Sequence, residues 1–155
     1  MQTDLLKSTA IALAAGVAAT AIMTLGQKAE QSISGRESSN VPAKALEKFG
    51  GVTFDTEAAE TEASTAVHWG YGVALGLAIA PLMRLEPIPR LAATFAGIWA
   101  LGAVLETVVD PDRPPTAWDS VQILTDAGHH LVYSAAAVGT QEAVRMLFSG
   151  DSSPR

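Results

Sequence analysis

The chain contains no cysteine, which excludes disulfides, thiolate metal ligands, thiol nucleophiles and S-acylation together. Any bound metal would have to use histidine and carboxylate ligands. Aromatic residues make up 6% and charged residues 17% of the sequence, and no run of Lys and Arg is present. With a net charge of −6 and no row of aromatics on which bases would stack, nucleic acid is excluded as a partner. The motifs of common enzyme classes are missing too. There is no GxSxG elbow, no phosphate-binding P-loop and no dinucleotide fingerprint, so the expectation is a protein that is not an enzyme and needs no cofactor.

What the sequence has in excess is small and aliphatic residues, at 48% apolar over 155 residues. The mean hydropathy of +0.24 is modest, but the charges are unevenly spread, so the length of charge-free segments decides more than the average. Residues 8–26 carry no charge, and a helix needs roughly 20 such residues to cross a bilayer. Lys7 before that run also suits a signal peptide, but Asp4 in the same stretch and the further apolar segments favour a retained span. Residues 63–83 contain one ionisable group, His68, and residues 91–109 one, Glu106. The segment between them, with Pro87 and Pro89, forces a break and predicts an antiparallel hairpin. A second break at residues 110–116 precedes Trp118, placed as an interfacial anchor, and a last apolar segment covers about 121–148.

The resulting expectation is an all-α polytopic membrane protein, a four-helix up-and-down transmembrane bundle in a single domain. Its spans fall at about 8–27, 63–83, 91–109 and 121–148. Residues 28–62 form a polar loop in which Pro42 opens a short amphipathic helix over 43–49, ended by Gly50 and Gly51; this stretch reads equally as a solvated linker or as a helix lying in the interface. Ser38, Ser39 and Arg36 in that loop suit a phosphate or lipid headgroup less well than they suit plain solvation. Small residues recur one turn apart, as in Gly72 with Gly76 and Ala15 with Ala19, and allow helix backbones to approach closely.

Alternation divides the ten basic residues five and five between the two membrane faces, but sends twelve of the sixteen acids to the face opposite the termini. On that slender asymmetry both termini are expected in the cytoplasm. Alternation also gathers the ionisable groups of the spans at one face. His68 and Tyr71 open the second span, Glu106 and Asp110 close the third, and Asp126, His129, His130 and Tyr133 occupy the first half of the fourth. Asp126, His130 and Tyr133 share one helical stripe, with a carboxylate one turn before an imidazole. Such a cluster serves as structural ties, as a proton or ion path, or as a metal or haem site. For metal, His68, His130 and Glu106 are the best candidates; for haem, His68 with His130.

Three segments carry a resemblance: TAIMTLGQKAEQSISGRESSNVPAKAL, AVHWGYGVALG and DSVQILTDAGHHLVYSAAAVG. Together they resemble a group of uncharacterised bacterial integral membrane proteins and, more distantly, the YagU-type inner-membrane proteins. The resemblance implies a four-helix protein of the bacterial inner membrane, with His68, Tyr71, Asp126, His130 and Tyr133 at family-like positions and no implied activity. A basic residue follows the fourth-helix histidine in that group, whereas Leu131 follows a His pair here, so a metal role for His129 does not transfer. The functional expectation is an accessory, assembly or structural membrane component, alternatively a proton- or ion-conducting oligomer, alternatively a metal- or haem-binding protein. Its partners would be the lipid bilayer and further copies of itself or a larger membrane complex.

Overall fold

A computed structural model describes residues 2–149, and within them the chain is helical throughout, without strands. Five α-helices follow in order: α1 Gln2–Ser34, α2 Val41–Gly50, α3 Glu57–Ala78, α4 Pro87–Val109 and α5 Ser120–Ser149. Arg155 and Asp151, both part of the charge comparison, lie outside the described residues.

Most helices overrun the apolar segments that foretold them, and each of them starts earlier. Hydropathy marks what must sit in hydrocarbon, while a helix continues until its backbone is capped or broken. The 33 residues of α1 span about 50 Å, well beyond the roughly 30 Å of a bilayer core. Its last turn ends at Gly35, whose φ of 71° lets its N–H reach the Gln31 carbonyl at 2.9 Å. The Thr56 hydroxyl caps α3 by accepting from the Ala59 N–H, so the helix begins at Glu57, ahead of the apolar segment that opens at residue 63. Asp119 and Gln122 form a reciprocal cap on α5, each side chain accepting the other's backbone N–H, at 2.8 and 3.0 Å. The second expected span is not one continuous α-helix. Pro81 has no N–H to offer the preceding turn, and the chain tightens into a 3-10 turn over Ala80–Arg84.

The helices alternate in direction. α1 packs closely along both α3 and α5, and α5 in turn along α4. The backbones of α3 and α4 do not approach closely, although a short turn joins them. Instead α2 sits against both, with Ala43 fully buried, so the loop helix is neither a free linker nor apart from the bundle. Ala19 of α1, Leu75 of α3, Ile98 of α4 and Tyr133 and Ala137 of α5 meet in one central cluster.

The closest approach joins α1 to α3. A methyl group on Gly76 would fall 2.5 Å from the Gly16 Cα and 2.6 Å from the Ala12 carbonyl oxygen, so the two backbones are in contact. Ala12, Ala15 and Ala19 on the facing side of α1 are fully buried.

What is inside and what is outside then departs from a water-soluble protein. The fully buried side chains with the largest volumes are Arg90, Tyr133, Gln141, Thr20, Thr94 and Ser134, while Leu13, Val17, Ile22, Leu101, Val104, Leu131 and Val132 face outward. In water an apolar exterior of this kind would drive association; in hydrocarbon it is at home. Three helical segments, Leu5–Ser34, Glu57–Arg84 and Pro87–Val109, are long and apolar enough to cross a membrane. α5 is not among them, because Asp126, His129, His130, Gln141, Glu142 and Arg145 dilute its 30 residues.

Candidate functional site

The four-way alternation brings the C-terminal turns of α1 and α4 beside the N-terminal turns of α3 and α5, and of the eight polar residues singled out above six lie toward that end while Tyr71 and Tyr133 reach the central cluster. They do not form one continuous constellation. Three smaller groups are resolved.

The first lies between α1, α3 and α5. His68 Nε2 is 3.1 Å from Thr24 Oγ1, and that hydroxyl donates its single hydrogen to the Thr20 carbonyl at 2.7 Å. The bond between them must therefore run from Nε2–H to the hydroxyl oxygen, which fixes the tautomer of a neutral His68. One turn deeper, the Tyr133 hydroxyl donates to the Gly72 carbonyl and ties α5 to α3. Gly72 has no room for a side chain, because Thr20 of α1 occupies the space. The hydroxyl of Tyr71 is buried beside this bond with no hydrogen-bond partner among the described residues.

The second group joins α4 to α5. Trp99 Nε1–H donates to Asp126 Oδ2 at 2.8 Å. His130 Nδ1 lies 2.9 Å from the Asp126 backbone carbonyl and 3.5 Å from its carboxylate, so it is the carbonyl that holds the ring. A carbonyl can only accept, which puts the proton on Nδ1 and turns Nε2 toward α4. There the ring lies over Gly102, where an added methyl would stand 3.1 Å from Nε2. The expected orienting carboxylate is thus engaged by an indole instead. Half-buried Glu106 lies within charge range of Asp126, Asp110 and Lys44. Lys44 of α2 pairs with Asp110 at 2.7 Å, which fastens the loop helix to the end of α4.

In the third group Arg36 forks onto Glu30, with contacts of 2.7 and 3.2 Å to one carboxylate oxygen. His129 lies within charge range of both. Arg36 therefore serves a carboxylate of its own helix end, not an open headgroup site.

Among the described residues no three His, Asp or Glu side chains gather closely enough to hold a metal ion, so His68, His130 and Glu106 do not assemble into one ligand set. No hydrogen bond or ion pair joins His68 to His130 among those residues either, and each imidazole is held by a different neighbour.

Sequence reasoning missed three participants. Thr24 and Trp99 looked like ordinary span residues; the signal available was that each lies one helix away from an ionisable group at matching depth. Arg90 falls in the turn just before the 91–109 segment, where solvent exposure is the expectation, yet it is 1% exposed and belongs to a second polar network at the opposite end of the bundle. It donates to the Leu85 carbonyl, to Gln141 and to Glu142, and Glu142 also takes Arg145.

The chain matches no family model, no curated protein and no solved structure.

Proposed function

We propose that this chain is a four-span protein of the bacterial inner membrane that acts without catalysis, as an accessory or assembly component, with kinship to the YagU-type proteins. The observation that carries the reading is that the polar cluster is made of cross-helix ties. Thr24 with His68, Tyr133 with Gly72, Trp99 with Asp126 and Lys44 with Asp110 join every helix to a neighbour at that end. Polar pairs of this kind hold helices together in lipid, where hydrophobic burial between helices contributes little. α5 acts as the fourth span, since it runs alongside α1 with Leu131 and Val132 turned outward. Its polar residues face other helices at its two ends, where interior positions and interfaces tolerate them.

Replacing Asp126 by Ala is expected to cost about 2 kcal/mol, read as a lower thermal midpoint in detergent, because the Trp99 N–H loses a charged acceptor. Proton flux in liposomes should not change. A second reading, a proton-conducting oligomer, is favoured by one observation: Glu106 lies within charge range of both Asp110 and Asp126, with Lys44 as the nearby cation. Conduction would require Glu106→Gln to abolish pH-driven flux while leaving the thermal midpoint in place, and that pair of results would overturn the accessory reading.

Four spans put both termini on one side, and with the basic residues divided evenly the acid-rich opposite face is what supports the cytoplasmic side. Tags at either end should resist modification by membrane-impermeant reagents in intact cells. Labelling of one terminus alone would leave an odd number of crossings and exclude α5 as a span.

A further inference from the structure

Away from the His and carboxylate cluster, at the end of the bundle where α1 begins and α3 finishes, the surface opens into a cleft of about 560 Å³. Its wall is apolar, built from Leu5 and Ile11 of α1, Leu77 of α3 and Pro81 of the 3-10 turn. Two guanidinium groups complete it, Arg84 from the end of that turn and Arg145 from α5. Leu5 and Leu77 are 67% and 42% exposed, so the apolar wall continues onto the outer surface of the bundle. The cleft also lies where two of the charge-free runs end, since Ser8 opens one, Met83 closes another, and both line it. It therefore spans the level at which hydrocarbon gives way to headgroups.

Charge at this end complements an anion. Lys7, Arg84 and Arg145 belong to this end, where Arg90 is buried and paired with Glu142, and twelve of the sixteen acids are assigned to the opposite end. Arg145 already donates to the Met83 carbonyl and to Glu142, contacts that hold its guanidinium at the cleft. A guanidinium has five N–H donors in a planar fork and suits phosphate oxygens better than an ammonium does. Arg84 is exposed at the rim and adds a second fork.

We infer that this cleft binds one anionic phospholipid, its phosphate between Arg84 and Arg145 and an acyl chain along Leu5, Ile11, Leu77 and Pro81. Both halves are needed: the arginines select the negative headgroup, and the apolar wall selects a lipid over a free phosphate. Basic side chains at a membrane surface each strengthen binding of anionic lipid by roughly five-fold, so one arginine should have a readable effect.

The test uses the full chain in non-ionic detergent, titrated with phosphatidylglycerol or with phosphatidylcholine of the same acyl chains and followed by native mass spectrometry. One phosphatidylglycerol per chain should be retained in clear preference to phosphatidylcholine. Arg84→Gln should weaken that retention about five-fold with phosphatidylcholine unaffected, and Ser8→Trp, which fills the cleft from α1, should remove it. Arg36→Gln, at the opposite end, should leave it unchanged. Equal retention of the two lipids, equal loss in Arg84→Gln and Arg36→Gln, or displacement of the lipid by glycerol phosphate at matching concentration would each overturn the assignment.

Discussion

Replacing Gly76 by Ala should destabilise the protein by about 3 kcal/mol, the upper part of the range for overpacking a filled interior. The added methyl would meet the Gly16 Cα, the Gly16 nitrogen and the Ala12 carbonyl oxygen at 2.5 to 2.7 Å. All three are backbone atoms of α1 and cannot rotate away, so relief requires the two helices to separate. Separation would also loosen the contact of Gly72 with Thr20 one turn along, and with it the Tyr133 bond to the Gly72 carbonyl. Gly16→Ala strikes the same interface from the other side, with the Val73 carbonyl at 2.8 Å from the new methyl. The two changes should therefore be less than additive, because helices pushed apart by one have room for the other. Gly97 of α4 supplies the contrast, since a methyl there meets nothing within 4 Å. Gly97→Ala should be neutral or stabilising by up to about 1 kcal/mol, through helix propensity alone. Thermal unfolding in detergent, followed by far-ultraviolet circular dichroism, measures the parent, the three single variants and the Gly16 and Gly76 double variant on one scale. A Gly76→Ala protein as stable as the parent would show that α1 and α3 do not pack backbone to backbone.

The helices and their order were legible because charge-free length is a strong constraint in lipid, and Pro87, Pro89 and residues 110–116 break the chain unmistakably. The small-residue spacing likewise pointed to close packing, though not to Gly16 as the partner of Gly76. Less legible was which element touches which. A short turn with two prolines suggested that α3 and α4 would pair, whereas their backbones remain apart and α2 sits against both. Pairing between helices depends on side-chain shape at matching depth, which a single sequence does not encode in any periodicity. The same limit applies to the polar cluster. Spacing along α5 placed Asp126 one turn before His130, but it could not foresee that Trp99 of another helix would engage the carboxylate and leave the imidazole to the backbone. Pro81 was visible and under-weighted, since hydropathy continues smoothly through it while the hydrogen-bond ladder does not.

Arg90→Ala should be as damaging as the Gly76 change, at about 3 to 5 kcal/mol, the usual consequence of removing one partner from a buried charged network. The side chain is 1% exposed and reaches two kinds of acceptor. Its Nε and one terminal nitrogen converge on the Leu85 carbonyl at 3.2 and 2.7 Å, and its other terminal nitrogen reaches Glu142 at 2.7 Å and Gln141 at 3.3 Å. The need arises in the turn. The chain leaves the 3-10 turn at Leu85, whose extended backbone carries its carbonyl, with that of Met83 just before it, out of any helical ladder. Arginine side chains supply donors to these carbonyls, Arg90 to Leu85 and Arg145 to Met83, and Glu142 pairs with both, leaving one positive charge over. The break between α3 and α4 thus leaves free acceptors that fasten the turn to α5. Arg90→Lys keeps the charge but loses the fork, so it should recover the ion pair with Glu142 or the bond to Leu85 and not both, with about half the loss of Arg90→Ala. Glu142→Ala should resemble Arg90→Ala, because it leaves a buried cation without its counter-charge, and the double variant should be less destabilised than the sum of the two. If Arg90→Lys unfolds at the parent's temperature, the fork is dispensable and the turn is held by the prolines alone.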